Sequence, residues 1–325
     1  MGARFDYRPP AWLPGGNAQT IWAALHARRF DGEPPRFARE RWATPDGDFI
    51  DVDHLEGSAP GARRLVLFHG LEGSSASQYA QAFAVVARTR GWAFSVPHFR
   101  GCSGELNHGP RAYHSGDFEE IGWILARLRA TSAQPLLAVG VSLGGNALLR
   151  WAQEAGDSAA ATAAAVASVC SPIDLASAGR AIDRGFNRLV YARMFLSTMI
   201  PKALQKWQQH PGLFDRDRVA AARTIFEFDN AFTAPLHGFA GTADYWARAS
   251  AAPHLARLRI PALVLNAGND PFVPAHELPG PQQAGRCVTF WRPAGGGHVG
   301  FPHGGFPGRV QQMPAAVADW LATHA

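Results

Sequence analysis

Lysine is scarce in this chain. Of its 31 lysines and arginines only two are lysines, Lys202 and Lys206, and they sit four positions apart. Cysteine is scarce too: Cys102, Cys170 and Cys287 are odd in number, far apart and without a CxxC spacing. That pattern excludes a disulfide framework and a zinc site and suits a reducing compartment, with the thiols as small buried hydrophobes. Long apolar runs are missing. No window reaches 18 apolar residues without a charge, so no membrane-spanning helix is expected. The opening "MGARFDYRPPAWLPGG" has no apolar stretch and three prolines, which does not read as a signal peptide. Asp6 breaks the lipidation pattern after Met1-Gly2. The expectation is a soluble cytoplasmic protein.

What is present is core-forming material. The 325 residues are 47% hydrophobic and 18% charged, too apolar for disorder and ample for one large α/β domain or two small ones. The net charge of +5 is concentrated: residues 176–224 hold nine basic and three acidic residues, and elsewhere the balance is near neutral. A general nucleic-acid surface is therefore not indicated. The plain reading of the excess is a solvated face; the sharper one is attraction for an anionic substrate or a membrane surface.

Strand and helix signals alternate along most of the chain. Residues 39–56 read as two strands around the turn Pro45-Asp46-Gly47, and 64–70, 92–101, 136–139, 164–175, 261–268 and 287–293 read as further strands. Helical spacing marks a segment ending near Arg90, one from Ser115 to Ala130, one after residue 142 and one over Met313 to Thr323. The alternation predicts a mostly parallel sheet with helices on both faces. Residues 176–250 break the rhythm with helix after helix. They are read as a cap inserted over the sheet's C-terminal edge, with 1–175 and 251–325 as the core. Val190, Met194, Phe195 and Ile200 in that cap are a core or a lid face.

The chemistry-bearing stretch is "LLAVGVSLGGNALLRW", residues 136–151. Gly-x-Ser-x-Gly alone arises by chance in about one shuffled chain in six of this composition. Here it stands between an apolar strand and an amphipathic helix, the setting of a nucleophile elbow. A serine hydroxyl needs a histidine to take its proton and a carboxylate to orient that histidine. The order Ser, acid, His is supplied by Ser142, by Asp270 in "NAGNDPFVP" and by His298 in "PAGGGHVGF", each of the latter just past a strand. Asp174 is an alternative acid, His303 an alternative histidine, and Asp270 has the rival reading of a turn residue before Pro271. A developing oxyanion needs N–H donors, here the backbones of Leu143 and, in "HGLEG", Leu71. His69 is read as a brace for that loop. Two H-x4-D matches, His26 to Asp31 and His210 to Asp215, are discounted as near-chance.

The stretches "LVLFHGLEGSS", "HFRGCSGELNHGPRAYHSGD", "GVSLGGNALLRW", "TAPLHGFAGTADYWARAS", "NAGNDPFVP" and "GGGHVGF", with "PAWLPGGNAQTIW" at the start, resemble the α/β-hydrolase superfamily in its YheT-like branch. That branch includes abhydrolase-domain proteins and medium-chain ethanol acyltransferases. Two departures are visible. Asn17-Ala18 stand where the branch usually has His-Leu before Gln-Thr, and Asn269-Asp270 where it often has Asp-Asp. The resemblance implies an α/β-hydrolase fold with a helical cap, Ser142 as nucleophile, Asp270 as acid and His298 as base. It implies no cofactor and no metal, and a small acyl ester of short to medium chain as substrate. Acyl transfer from an ester or thioester to an alcohol, thioester or lipid hydrolysis, and a non-catalytic ligand binder are the competing readings. Peripheral lipid contact through the basic cap is a further expectation.

Overall fold

The computed structural model describes residues 5–325; the expectation about Met1-Gly2 lies outside them. Eight strands form one sheet in the order β1 (Ala38–Ala43), β2 (Phe49–Leu55), β4 (Ala93–Pro97), β3 (Arg64–Phe68), β5 (Leu136–Val141), β6 (Ala163–Val169), β7 (Ala262–Leu265), β8 (Val288–Trp291). β1 and β2 pair antiparallel, as does β2 with β4; every other pairing is parallel. β3, β4, β5, β6 and β7 are almost wholly buried, which is why they read as continuous apolar runs and not as alternating strands.

The chain runs from β3 outward to β4, then crosses back to β5 on the other side of β3. The strand order reverses there, and in open sheets the crevice beyond such a reversal is where ligands bind. Helices cover both faces, among them α1 (Gly16–Leu25), α2 (Gln78–Thr89), α3 (Phe118–Ala130) and α4 (Leu143–Ala155). α3 buries Ile121, Ile124, Leu125 and Leu128, the stripe its sequence shows, and Asp117 caps it by accepting the Glu120 N–H. One apolar core joins α3 and α4 to the sheet; another joins α2 and the C-terminal helix Gln312–Ala322 to the opposite face.

The strand expected over 164–175 ends at Val169. Asp174, the alternative acid, is instead the N-cap of helix Leu175–Ile182, accepting the Ser177 N–H at 3.0 Å. From there to helix Thr242–Ala249 the chain is a succession of helices joined by short turns, with no strand, between β6 and β7. This insertion has a core of its own, including Leu196, Phe214, Phe228 and Trp246. Helix α1 has no counterpart among the expected elements, because its ten residues mix buried Gln19 and Thr20 into an apolar run.

Candidate active site

Ser142 stands between β5 and α4 with φ 52° and ψ −121°, a backbone conformation that costs a side-chain-bearing residue free energy. Its neighbours make the turn possible. A Cβ on Gly144 would lie 2.5 Å from the carbonyl oxygens of Phe68 and His69, and one on Gly140 would lie 2.4 Å from the Gly144 oxygen. The Ser142 N–H donates to the Val169 carbonyl and its own carbonyl accepts from Gly145 and Asn146, so the turn is tied on both sides.

The loops after β7 and β8 bring two more side chains to this serine. His298 Nε2 lies 3.0 Å from Ser142 Oγ, and its Nδ1 lies 2.9 and 3.2 Å from the two oxygens of Asp270. An ionised carboxylate can only accept, so Nδ1 carries the proton and Nε2 is left to accept from the serine hydroxyl. Asp270 is buried and its Oδ1 also accepts the N–H groups of Phe272 and Val273, which fixes the carboxylate independently of the imidazole. The Phe272 ring packs 4.3 Å from the imidazole. His303, the alternative histidine, pairs its backbone with Arg309.

Leu143 opens α4, where an N–H has no acceptor within the helix, and Leu71 lies in the turn after β3 that the Gly73 N–H closes on the Gly70 carbonyl. Both residues line the cavity that contains Ser142. The loop carrying Leu71 is held from several directions. The Gly70 N–H donates to Tyr79 Oη; Glu72 has φ 57°; the Glu72 N–H donates to Tyr113 Oη; and that hydroxyl donates back to Glu72 Oε1 at 2.8 Å. Glu72 Oε2 meets the Lys202 ammonium of the helical insertion at 2.8 Å. His69 is a brace, as its sequence context suggests. Its Nδ1 donates to the Gly70 carbonyl, its Nε2 accepts the Phe99 N–H, and burial pushes its pKa down to about 3, so it stays neutral.

Gln19 and Thr20 of α1 are legible in the sequence only as part of a resembling motif, and they hold the histidine loop. Thr20 Oγ1 accepts the His298 N–H at 2.8 Å, and Gln19 Oε1 accepts the Gly296 N–H at 2.8 Å and an Asn269 amide proton at 3.1 Å. Asn269 in turn accepts the Gly297 N–H at 2.9 Å. Two adjacent buried polar residues in an otherwise apolar helix are the signal that could have found them. Asn17, in the departed motif, accepts from Tyr191 Oη at 2.9 Å.

Above Ser142 a cavity of about 150 Å³ runs under the insertion. Its apolar walls include Ile182, Phe195, Met199, Ile225, Phe228 and Trp246, all contributed by that helical segment. Arg100, Lys202, Lys206 and Asp229 also reach it. Arg100 is paired with Asp46, Asp48 and Glu120, and the Lys206 ammonium donates to three uncharged oxygens of Asn107 and Gly109, so the donors of both are already engaged.

Residues 63–304 match the model of the alpha/beta hydrolase fold family. The chain is 38% identical to YheT of Escherichia coli K12, a protein with a provisional esterase name, over 98% of this chain and 94% of that one. It is 28% identical to the human phospholipase ABHD3 over 94% of this chain and 76% of its relative. A thermophilic esterase from Thermogutta terrifontis superposes with a TM-score of 0.52 at 17% identity, covering 90% of this chain and all, 100%, of the other, a likeness of fold alone. Fold, elbow and relatives agree, and the chain belongs to the α/β-hydrolase family, with YheT among its relatives.

Proposed function

We propose that the protein is a serine hydrolase of carboxylic acyl esters, with Ser142 as nucleophile, His298 as general base and Asp270 as the acid that orients it. The observation that carries this reading is the placement of one imidazole between a serine on a strained turn and a buried carboxylate, at 3.0 and 2.9 Å. In the proposed reaction the Ser142 hydroxyl attacks the acyl carbonyl while His298 Nε2 takes its proton. Asp270 holds the tautomer and stabilises the imidazolium. The oxyanion is received by the N–H groups of Leu71 and Leu143, a contribution of about 3 kcal/mol per donor in enzymes of this type. The imidazolium protonates the leaving alkoxide, the acyl-enzyme remains, and water activated by the same imidazole releases the acid. The helical insertion acts as a cap whose apolar cavity receives a small acyl chain. Its esterase- and phospholipase-named relatives support ester cleavage as the reaction class. No metal or organic cofactor enters this scheme.

The test is hydrolysis of a p-nitrophenyl ester series from acetate to laurate by the wild-type protein and Ser142→Ala. Loss of kcat by about 10³-fold or more in the variant, with the fold intact, is the expected result. Equal activity in the two proteins, or an inert wild type across the series, sinks the reading.

A further inference from the structure

We propose that the outer face of the chain from Arg184 to Met194 docks the protein on an anionic lipid surface. The inference starts from what this stretch leaves uncovered. Six large hydrophobic side chains are exposed among the described residues, and three of them, Phe186, Leu189 and Met194, fall within nine positions, 51%, 73% and 51% exposed. Leucine exposed to that extent on a helix gains nothing from the fold of its own chain.

The stretch is helical from Gly185 onward and continues as helix Arg193–Gln209. Positions 186, 189, 193, 194 and 197 recur at helical spacing and are all exposed, so the apolar side chains share one stripe with Arg193. Arg184 and Arg188 are exposed beside them. None of these three arginines makes an ion pair among the described residues, in contrast to Arg39, Arg41 and Arg100 of the core, each of which meets a carboxylate within 3.0 Å. The acid nearest in sequence, Asp183, uses its two oxygens to accept the N–H groups of Ile225 and Phe226, and the Arg188 charge acts on it only from beyond ion-pair distance. Unpaired arginines interleaved with exposed Phe, Leu and Met are the composition of a helix that lies in a lipid interface, where guanidinium meets phosphate and the apolar side chains enter the acyl boundary.

The helix Arg193–Gln209 that continues this segment supplies Phe195 and Met199 to the cavity over Ser142. A docked helix would thus hold that cavity against the surface from which acyl chains come. No helix of the described residues is long and apolar enough to cross a membrane, so the contact proposed is peripheral.

The experiment is co-sedimentation of the full chain with vesicles of phosphatidylcholine alone and with one third phosphatidylglycerol, at low and at physiological salt. Wild type is expected to bind the anionic vesicles and to lose binding as salt rises. The triple variant Arg184→Gln/Arg188→Gln/Arg193→Gln is expected to bind them about 100-fold more weakly, and Leu189→Asp/Phe186→Ser to lose the salt-resistant remainder. These residues are exposed, so circular dichroism and ester turnover should be unchanged, and a variant that unfolds would show it there. Failure of wild type to bind anionic vesicles, or equal binding by the triple variant, overturns the proposal. The readout is sedimentation, not activity, so a protein that binds vesicles but leaves esters intact would instead defeat the hydrolase reading alone.

Discussion

The sheet's C-terminal edge and the helical insertion above it face the same cavity, yet they are built on opposite terms. Five non-glycine residues among those described have positive φ: Glu72, Ser142, Cys170, Val299 and Phe301. All five follow sheet strands, on the loops after β3, β5, β6 and β8. The insertion has none. Its left-handed positions are Gly185, Gly212 and Gly238, where a Cβ would meet nothing within 4 Å. Non-glycine backbone strain is thus confined to the edge that brings the Ser142 hydroxyl and the His298 imidazole together, where surrounding hydrogen bonds hold it. The insertion is relaxed and offers mostly apolar surface. Changes on the edge should therefore act on kcat, and changes in the insertion on selectivity, pH response and surface behaviour.

The sharpest way to break that comparison is through α1, which lies outside both regions and contributes no residue to the cavity over Ser142. Gln19→Ala removes the acceptor of the Gly296 N–H and of Asn269, and Thr20→Val that of the His298 N–H. The double variant is expected to lower kcat about 100-fold with KM little changed, since a displacement of the order of 1 Å in a base costs that much. Parallel ester kinetics and thermal melts check it. Each unpaired buried group costs about 1–3 kcal/mol as well. A variant equally destabilised but with normal kcat would make α1 a structural element only.

How far the sequence foretells this arrangement depends on whether the signal is local. The elbow is legible because strand, turn and helix are contiguous, and because glycines at 140 and 144 are demanded by backbone atoms that lie 2.4 and 2.5 Å from a would-be Cβ. Asp270 and His298 are legible from chain order and the strands before them. The run over 164–175 reads as one strand because Ile173 and Leu175 extend its apolar pattern; Asp174 instead caps a helix there, a tertiary outcome that periodicity does not encode. Beyond the resembling motif that contains Gln19 and Thr20, the contacts of α1 and those among Glu72, Tyr113 and Lys202 are not legible, since their partners lie 41 to 278 residues apart. Long-range hydrogen bonds leave no period in a sequence.

Lys202 is where the two regions meet, and it sharpens the comparison with a smaller effect. Its ammonium and Tyr113 both hold Glu72, the residue after Leu71. Lys202→Met releases one of the two and, on the proposed role of the Leu71 N–H as an oxyanion donor, should lower kcat about tenfold as the loop samples other orientations, with Lys202→Arg recovering most of it. Steady-state kinetics on one ester, with KM compared to kcat, decide it: a loss confined to KM would assign Lys202 to binding, and no loss would leave the loop held by Tyr113 alone.

The expected effect with the least bearing on turnover lies deepest in the insertion, where it acts on stability alone. Asp229 is buried against the cavity, accepting from Trp246 Nε1 at 2.8 Å and Thr233 Oγ1 at 2.7 Å. Burial outweighs these two hydrogen bonds, and with the nearby Asp183 charge raises its pKa from 3.8 to about 6. The folded chain therefore keeps a proton that the unfolded chain has released between those two values. The associated stability is fully present below about pH 4 and is lost as pH rises through about 6, by up to roughly 3 kcal/mol. Asp229→Asn cannot titrate, and its amide keeps an oxygen for one donor while Thr233 can turn to accept from the other group. Across pH 4 to 7 the melting temperature of the wild type should fall relative to that of Asp229→Asn, whereas on the core edge, where Asp46 is held down at about 2 by Arg100 and Thr44 against its burial, an Asp46→Asn difference curve should be flat in the same window. Parallel melting curves for wild type and Asp229→Asn would mean that this carboxylate stays charged in the fold, and that the insertion's interior is more polar than its apolar walls imply.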